Sequence, residues 1–289
     1  MAPKTQHDDA WYEAQYNNRA RVPGFAAIVE GWRTRSQQAR DTQPCVLDVP
    51  YGSGPGQTLD IFPAARAGAP VLVFIHGGYW RSLDKADHSF VAPAFAQAGV
   101  TVVVPNYALC PAVSVADITM QMVQAVAWTA RHIHAHHGDA RRIVVAGHSA
   151  GGHLAAMMLA CRWRDVDARL PAALVPRALS ISGLFDLRPL RRAASLQADL
   201  RLTPAQARQV SPACLPAPRG RRLVAVVGAL ESEEFIRQNG LLTPAWGRRA
   251  VPVCEAIPQR HHFDILHDLA EPGTRLHGLA RELLGLPPA

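Results

Sequence analysis

The stretch GHSAG (147–151) places a serine between small residues, directly after an apolar run. The sequence before it, RRIVVA, is typical of a strand, and the sequence after it, GHLAAMMLA, is typical of a helix. A G-x-S-x-G turn between a strand and a helix forms a nucleophile elbow, in which the serine hydroxyl is exposed on a strained turn. We therefore interpret Ser149 as a nucleophile, and the alternative is a tight turn with no chemical role.

A serine hydroxyl is a weak nucleophile without a general base, and the sequence offers candidates for that base near its C-terminal end. After the last predicted strand the chain reads QRHHFDIL (259–266). His262 directly precedes the predicted C-terminal helical region, so we expect it to be the base, with His261 as the second candidate. His148 is next to the serine, but it lies on the wrong side of the turn for this role.

The base needs a carboxylate that orients it, and in a fold with a nucleophile elbow the chain order is serine, acid, histidine. Glu231 is the first residue after the apolar run LVAVVGAL (223–230), and we expect it to be the acid. Asp186, which follows another predicted strand, is the alternative. Glu233 and Glu234 are expected to face solvent on the helix that follows.

The negative charge that develops on a substrate oxygen needs backbone N–H donors, which together form an oxyanion hole. One donor should be the N–H of Ala150, next to the nucleophile. The motif HGGYW (76–80) follows the apolar run VLVFI, and its glycines allow the backbone to approach a ligand closely. We expect Gly78 and Tyr79 to supply the other N–H groups, with Gly77 shaping the turn. A plain Gly-Gly turn is the alternative.

These residues must be positioned by a sheet, because candidate strands alternate with candidate helices along most of the chain. A hairpin is predicted first (44–52 and 57–63), and six strands follow at 71–77, 100–107, 141–149, 178–186, 223–230 and 253–258. Helices are predicted at 85–98, 115–137, 150–160 and after about 263. This alternation predicts an α/β fold, with a mostly parallel sheet and helices on both of its faces.

Two further segments complete this single predicted domain (1–289). Residues 10–40 are expected to be helical, with an interruption at Pro23–Gly24. Residues 187–221 are rich in Arg, Pro and Ala and interrupt the alternation of strands and helices, so we expect a small cap over the edge of the sheet. Ligands of such sheets bind beyond the carboxyl ends of the strands, where the candidate residues should meet.

Composition and charge argue against several classes of function. The chain has 289 residues and a net charge of +7, but its basic residues are dispersed, without the dense block typical of nucleic-acid or membrane binding. No apolar run approaches the ~18 residues of a membrane span, and the polar N-terminus lacks a signal-peptide pattern. Five scattered cysteines are typical of free thiols in a reducing compartment. We expect a cytoplasmic enzyme that acts on a small molecule and binds neither nucleic acid nor a membrane.

The motifs HGGYW, GHSAGGH, ESEEF and HHF together resemble the arylformamidase (kynurenine formamidase) branch of the α/β-hydrolases, near the hormone-sensitive-lipase-like esterases. The segments EAQYNNRARVP (13–23) and GLFDLRPL (183–190) also resemble that family, so the similarity covers most of the chain. The resemblance implies an α/β-hydrolase fold. One position departs from the family pattern, because the family's acid is usually Asp and Glu231 stands here.

The resemblance also implies an activity, the hydrolysis of N-formyl-L-kynurenine to L-kynurenine and formate through a formyl-serine intermediate, with no metal or other cofactor. Ser149 would attack the formyl carbon while His262 takes its proton. Tyr79 and Trp80 would border the aromatic leaving group, with packing as the alternative role for both. An arginine of the predicted cap is a candidate partner for the substrate carboxylate.

Three other functions remain open from the sequence. A general carboxylesterase would use the same triad on small aryl or acyl esters, and a binding protein with this fold would have lost catalysis. A metal hydrolase is suggested by His132 and His136, spaced as i and i+4 in RHIHAHHG, but no HExxH pattern accompanies them, and we favour a solvated helix end. The sequence does not determine whether the chain forms a homodimer.

Overall fold

A single sheet of eight strands forms the centre of the computed structural model, which describes residues 7–287. In chain order the strands are β1 (Val46–Pro50), β2 (Thr58–Phe62), β3 (Ala69–Ile75), β4 (Thr101–Pro105), β5 (Gly138–His148), β6 (Arg177–Ile181), β7 (Arg222–Gly228) and β8 (Val253–Ile257). Their order across the sheet is β1-β2-β4-β3-β5-β6-β7-β8. β2 pairs antiparallel with β1 and β4, and all other neighbours are parallel. The predicted mostly parallel α/β sheet is confirmed.

The helices connect the strands and cover the sheet. Within residues 7–287 they are α1 (Asp9–Tyr16), α2 (Asn18–Arg21), α3 (Phe25–Thr42), α4 (Ala92–Gln97), α5 (Val115–His132), α6 (Ala150–Ala160), α7 (Trp163–Val166), α8 (Ala194–Leu200), α9 (Pro204–Gln209), α10 (Glu233–Gly240), α11 (Leu242–Trp246), α12 (Ile265–Ala270) and α13 (Arg275–Leu284). The N-terminal region is helical as expected, with its break at Pro23–Gly24 between α2 and α3. No helix of the described residues is long and apolar enough to cross a membrane.

Both faces of the sheet are covered, and β3 shows how its sequence suits this position. Its side chains alternate between the faces, so Val71, Val73 and Ile75 belong to one core cluster while Leu72 and Phe74 belong to the other. Helices α5 and α6 contribute to the first cluster, and α3, α4, α12 and α13 contribute to the second. A strand buried on both faces is apolar throughout, which is why VLVFI shows no alternation of polar and apolar residues.

The segment 85–98 differs from its prediction as a single helix. It forms two 3-10 turns, at 85–87 and 89–91, before α4 begins. Pro93 explains the difference, because a proline is tolerated in the first turn of an α-helix but interrupts the ladder of hydrogen bonds further along.

The helix predicted over 115–137 is also shorter in the structure. α5 ends at His132 and continues as a 3-10 turn, which ends at His137 with a φ of +66°. The ring of His132 packs on Trp128, with centroids 4.8 Å apart. His132 and His136 therefore do not share one face of a regular α-helix. In the part of the chain that the structure describes, no three His, Cys, Asp or Glu side chains gather as a metal site requires.

The N-terminal helix α1 lies against the segment that follows β6 and against α10. The N–H of Ser195 donates to Glu13 at 3.1 Å, which joins α8 to α1. The hydroxyl of Tyr16, which is buried at the end of α1, donates to Glu234 of α10 at 2.5 Å. The segment predicted to form a cap, 187–221, contains α8 and α9. The N-terminal helix and this segment thus support each other on the same side of the molecule.

Buried histidines make the fold sensitive to acid. His153 on α6 is fully buried, and its Nε2–H donates to the carbonyl of Val210 at 2.7 Å. Burial lowers the pKa of His153 to about 4, and burial is also the main reason why the pKa of His88 is about 4. The unfolded chain takes up these protons first, near the ordinary value of about 6.5. Stability is therefore lost as the pH falls from about 6.5 towards 4.

We predict that His153→Gln reduces this pH dependence, because glutamine keeps an N–H donor for Val210 but does not titrate. Chemical denaturation at pH 7.5 and pH 5.0 measures the free energy of unfolding at both values. Between them the wild type should lose about 2 kcal/mol more than the variant. An equal loss in both proteins would show that His153 does not contribute to acid sensitivity.

Candidate active site

Ser149 lies at the turn between β5 and α6 with φ +56° and ψ −117°, a backbone conformation that few residues with a side chain adopt. Two glycines make the turn possible. A Cβ at Gly147 would lie 2.2 Å from the carbonyl oxygen of Gly151, and a Cβ at Gly151 would lie 2.0 Å from that of Ile75. The N–H of Ser149 donates to Ile181 on the neighbouring β6 at 2.8 Å. The glycines thus let α6 start directly beside β3, with the serine at the carboxyl edge of the sheet.

Three predicted side chains come together at this edge. The Oγ of Ser149 is 3.0 Å from Nε2 of His262, and Nδ1 of His262 is 2.6 Å from Oε2 of Glu231. All three residues are buried. The carboxylate only accepts hydrogen bonds, so Nδ1 carries the proton and Nε2 is left to accept the serine hydroxyl. This arrangement can take a proton from Ser149 and hold the resulting imidazolium beside a negative charge.

The second oxygen of the Glu231 carboxylate is also held in place. Oε1 accepts a hydrogen bond from the hydroxyl of Ser182 at 2.5 Å and from the N–H of Gly228 at 2.8 Å. The strand predicted over 178–186 ends earlier, at Ile181, since Ser182 has a φ of +53°. Sequence reasoning missed Ser182 because it placed this residue inside the strand. The available signal was a hydroxyl directly after β6, the strand next to β7, because such a residue lies near the side chain that follows β7.

His148 supports the position of His262. Its Nε2–H donates to the backbone carbonyl of His262 at 2.7 Å. Burial, and then the proximity of His262, lower the pKa of His148 well below its ordinary value. His148 is therefore neutral near pH 7, and its Nε2–H is engaged with the carbonyl of His262, whereas the hydroxyl of Ser149 is bonded to Nε2 of His262. The expectation that it is not the base agrees with this contact.

The alternative acid and the alternative base are engaged elsewhere. The carboxylate of Asp186 forms a two-pronged ion pair with Arg188, in which both nitrogen–oxygen distances are 2.8 Å. Nδ1 of His261 accepts the backbone N–H of Asp264 at 3.2 Å, at the start of the C-terminal helical region. The relay next to Ser149 therefore uses neither Asp186 nor His261.

Glu233 is exposed, as expected. The same expectation is wrong for Glu234, which is buried. Its carboxylate is buried and paired with Arg237, with nitrogen–oxygen distances of 2.6 and 2.7 Å. It also accepts the hydroxyl of Tyr16. Glu234 is buried because α1 packs against this face of α10. The burial of its charge is tolerated because Arg237 pairs with it.

The loop after β3 lies beside the serine. A Cβ at Gly77 would be 3.2 Å from the Cβ of the serine. Gly78 has a φ of +104°, and a Cβ there would be 2.0 Å from the carbonyl oxygen of Ser82, so this position requires glycine. Within residues 7–287 the N–H groups of Gly78 and Tyr79 have no hydrogen-bond acceptor. Together with the N–H of Ala150 in the first turn of α6, they are available to a substrate oxygen.

A pocket opens beside Ser149 and His262, and aromatic side chains form part of its wall. The wall includes five aromatic side chains, Tyr16, Phe25, Trp32, Tyr79 and Phe263, and residues 16–19 of the N-terminal region form a continuous part of it. Sequence reasoning missed the contribution of residues 16–19. They belong to EAQYNNRARVP, which resembled the family but had no role assigned to it.

Of the two aromatic residues predicted to border the substrate, Tyr79 lines this pocket and Trp80 does not. The hydroxyl of Tyr79 donates to the backbone carbonyl of Tyr16 at 2.7 Å and so connects the loop to α1. Trp80 is fully buried in the core and packs edge-on against His153, with ring centroids 5.0 Å apart. We therefore correct the prediction for Trp80, whose large apolar surface is used for packing.

The arginine predicted to pair with a substrate carboxylate was expected in the segment 187–221, and this expectation also needs correction. No arginine of that segment lines the pocket in the part of the chain that the structure describes. Arg188 and Arg192 of that segment are already paired, with Asp186 and Asp9 respectively. The arginines that do line the pocket are Arg19 and Arg81.

Comparison with known proteins places these residues in a family context. A family model described as alpha/beta hydrolase fold matches residues 72–239. Kynurenine formamidase of Danio rerio is 27% identical over 90% of this chain and 88% of its own. A crystal structure of a thioesterase candidate from Silicibacter sp. has a TM-score of 0.81 and 31% identity, covering 91% of this chain and 96% of its own. Esterase LipC of Mycobacterium tuberculosis is 33% identical over 47% of this chain and 35% of its own.

We predict that Glu231→Gln lowers kcat for an aryl ester such as p-nitrophenyl acetate by about 10³–10⁴-fold, the effect of losing the orienting carboxylate of a serine hydrolase. The amide cannot stabilise the imidazolium, and it no longer fixes the proton on Nδ1 of His262. Steady-state kinetics measure this loss. Asp186→Asn is the matched control, and its kcat should stay close to that of the wild type. A greater loss in Asp186→Asn than in Glu231→Gln would reverse the assignment of the acid.

Proposed function

The chain belongs to the alpha/beta hydrolase fold family, and on that premise we propose that this hydrolase cleaves an aryl formamide, N-formyl-L-kynurenine, to L-kynurenine and formate. The observation that carries the proposal is the contact of Ser149 with the His262–Glu231 pair, beside a pocket whose wall includes several aromatic side chains. The similarity to kynurenine formamidase over nearly the whole chain supports the choice of a formamide.

In the proposed first half-reaction, Ser149 attacks the formyl carbon while Nε2 of His262 takes the hydroxyl proton. The carbonyl oxygen becomes an oxyanion, which accepts hydrogen bonds from the N–H groups of Gly78, Tyr79 and Ala150. The imidazolium then gives its proton to the aryl nitrogen, because an anilide anion is too basic to leave. The C–N bond breaks, the aryl amine departs and the formyl group remains on Ser149 as an ester.

In the second half-reaction, water attacks the formyl-serine ester. Nε2 of His262 takes a proton from the water, and the same N–H groups stabilise the second oxyanion. The proton then returns to Oγ of Ser149 as the C–O bond breaks, which releases formate and restores the serine. Glu231 stays ionised throughout and stabilises the imidazolium twice in each cycle.

The pocket suits an aromatic leaving group. Phe25 and Phe263 provide apolar rings on the wall next to the relay, and the fully buried Trp32 packs against Phe263. Rings packed in offset or edge-on arrangements gain about 0.5–1.5 kcal/mol beyond the burial of their surface. A kynurenine-sized aryl amine would therefore find ring contacts in the pocket beside Ser149.

The second candidate is a general carboxylesterase that acts on small aryl or acyl esters. The similarity to Esterase LipC favours it, and the same relay of Ser149, His262 and Glu231 would serve. The two candidates share every chemical step except the leaving group, which is an amine in one and an alcohol or phenol in the other. The amine must be protonated at nitrogen before it can leave, whereas a phenolate can leave without a proton.

We predict that kcat/KM for N-formyl-L-kynurenine exceeds that for p-nitrophenyl acetate, although the ester is intrinsically the more reactive compound. Steady-state assays of both compounds with one enzyme preparation measure the ratio. Ser149→Ala should abolish both activities, which shows that they arise at one site. Turnover of the ester that exceeds turnover of the formamide by orders of magnitude would contradict the formamidase proposal and favour the carboxylesterase.

A further inference from the structure

The charge of the pocket differs from that of an ordinary apolar cleft. Its lining contains two guanidinium groups, those of Arg19 and Arg81, and among the described residues it contains no Asp or Glu side chain. The carboxylate of Glu231 lies behind His262 and is bonded to it. A ligand in this pocket therefore meets positive charge on the wall, which favours an anionic group.

The two guanidinium groups are not equivalent, because Arg81 is already neutralised. Its Nη1 is 2.6 Å from the carboxylate of Asp199 and 2.6 Å from the backbone carbonyl of Ser195. An additional anion would compete with Asp199 for this guanidinium. Arg81 therefore holds α8 against the loop after β3 and has little charge left for a ligand.

Arg19 has the opposite character. Its guanidinium has five N–H donors, and within residues 7–287 the only hydrogen bond that it makes is to the hydroxyl of Ser82, at 3.2 Å. No carboxylate of the described residues is within salt-bridge distance of it. Its central carbon lies 5.0 Å from the centre of the Phe25 ring, a contact that holds the guanidinium over the pocket wall without reducing its charge.

Arg19 is an exposed residue, and its contact with Ser82 places it near the loop of the proposed oxyanion donors. The hydroxyl of Ser82 donates to the carbonyl of Gly78 at 3.0 Å while it accepts from Arg19. Gly78 is one of the proposed oxyanion donors, so Arg19 is one side chain away from the loop that would hold the substrate oxygen. Arg19 and Ser149 line the same pocket.

We propose that Arg19 is a specificity-determining residue that binds a carboxylate of the substrate, so that this site prefers aryl compounds that carry a carboxylate over uncharged ones. The choice of a formamide among them rests on the proposed function, whereas the preference for a carboxylate does not. An Arg–carboxylate pair in a partly enclosed site forms charge-assisted hydrogen bonds, which are stronger than those between neutral groups.

Two pairs of substrates test the proposal. The first pair is N-formyl-L-kynurenine and its carboxamide, and the second is 3-(4-acetoxyphenyl)propanoate and its carboxamide. In each pair the reacting bond is the same and only the charge differs. The wild type should show a higher kcat/KM for the carboxylate in each pair. Equal values for carboxylate and carboxamide in both pairs would overturn the proposal.

The variants locate the effect. Arg19→Gln should lower kcat/KM for the carboxylates by about 10- to 100-fold, mainly by raising KM. It should lower kcat/KM for the carboxamides much less. Arg19→Lys should recover part of the loss, since it restores the charge but not the fork of donors. The matched control is Arg21→Gln, which removes the same charge from the same helix but from a residue that does not line the pocket. It should leave kcat/KM unchanged for both the carboxylates and the carboxamides.

Other outcomes would contradict the proposal in distinct ways. An equal loss for carboxylates and carboxamides in Arg19→Gln would mean that Arg19 acts through the loop of Gly78 and not on a substrate charge. A charge-selective loss in Arg81→Gln in place of Arg19→Gln would transfer the role to Arg81. If neither formamide is hydrolysed while the ester pair shows the selectivity that depends on Arg19, the proposed function fails and the present inference stands.

Discussion

The site depends on the close approach of backbone to backbone where β5 turns into α6. Side chains at Gly147 and Gly151 would meet carbonyl oxygens of Gly151 and Ile75 at about 2 Å, so α6 can lie against β3 only because these positions have no Cβ. The turn forces Ser149 into a strained backbone conformation, which costs of the order of 1–3 kcal/mol. The burial of α6 against the core offsets that cost, and the hydroxyl projects from the edge of the sheet as a result.

The partners of Ser149 reach it because parallel strands end at one edge. The serine follows β5, Ser182 follows β6 and Glu231 follows β7, and these strands are neighbours in the sheet. The loop that carries His262 comes equally close, since a Cβ at Gly228 would lie 2.3 Å from the carbonyl oxygen of Arg260. A glycine at the end of β7 thus permits the histidine loop to cross beside it, in the same way that glycines at the elbow permit α6.

The sequence predicted the sheet and the positions of Ser149, Glu231 and His262 because these depend on local patterns, namely apolar runs, glycines and chain order. It did not predict the burial of Glu234, and it left open whether Trp80 borders the substrate or packs in the core. Glu234 is covered by α1, which is distant from it in the sequence. Trp80 packs against His153 of α6 in the core. It also missed Ser182 and the position of Arg19 in the pocket wall. A hydroxyl one residue beyond a strand has no pattern of its own, and the packing of residues 16–19 over the pocket is a tertiary contact that periodicity does not report.

The central claim is that Ser149 is activated by its contact with His262 while the protein is folded. Labelling with a fluorophosphonate probe followed by mass spectrometry of the intact and digested protein tests this most directly, because the probe reacts with activated serines and scarcely with ordinary ones. The account predicts one adduct per chain, located on Ser149, and none in folded Ser149→Ala or in unfolded wild type. Absence of an adduct from the folded wild type, or an adduct on another residue, would contradict it.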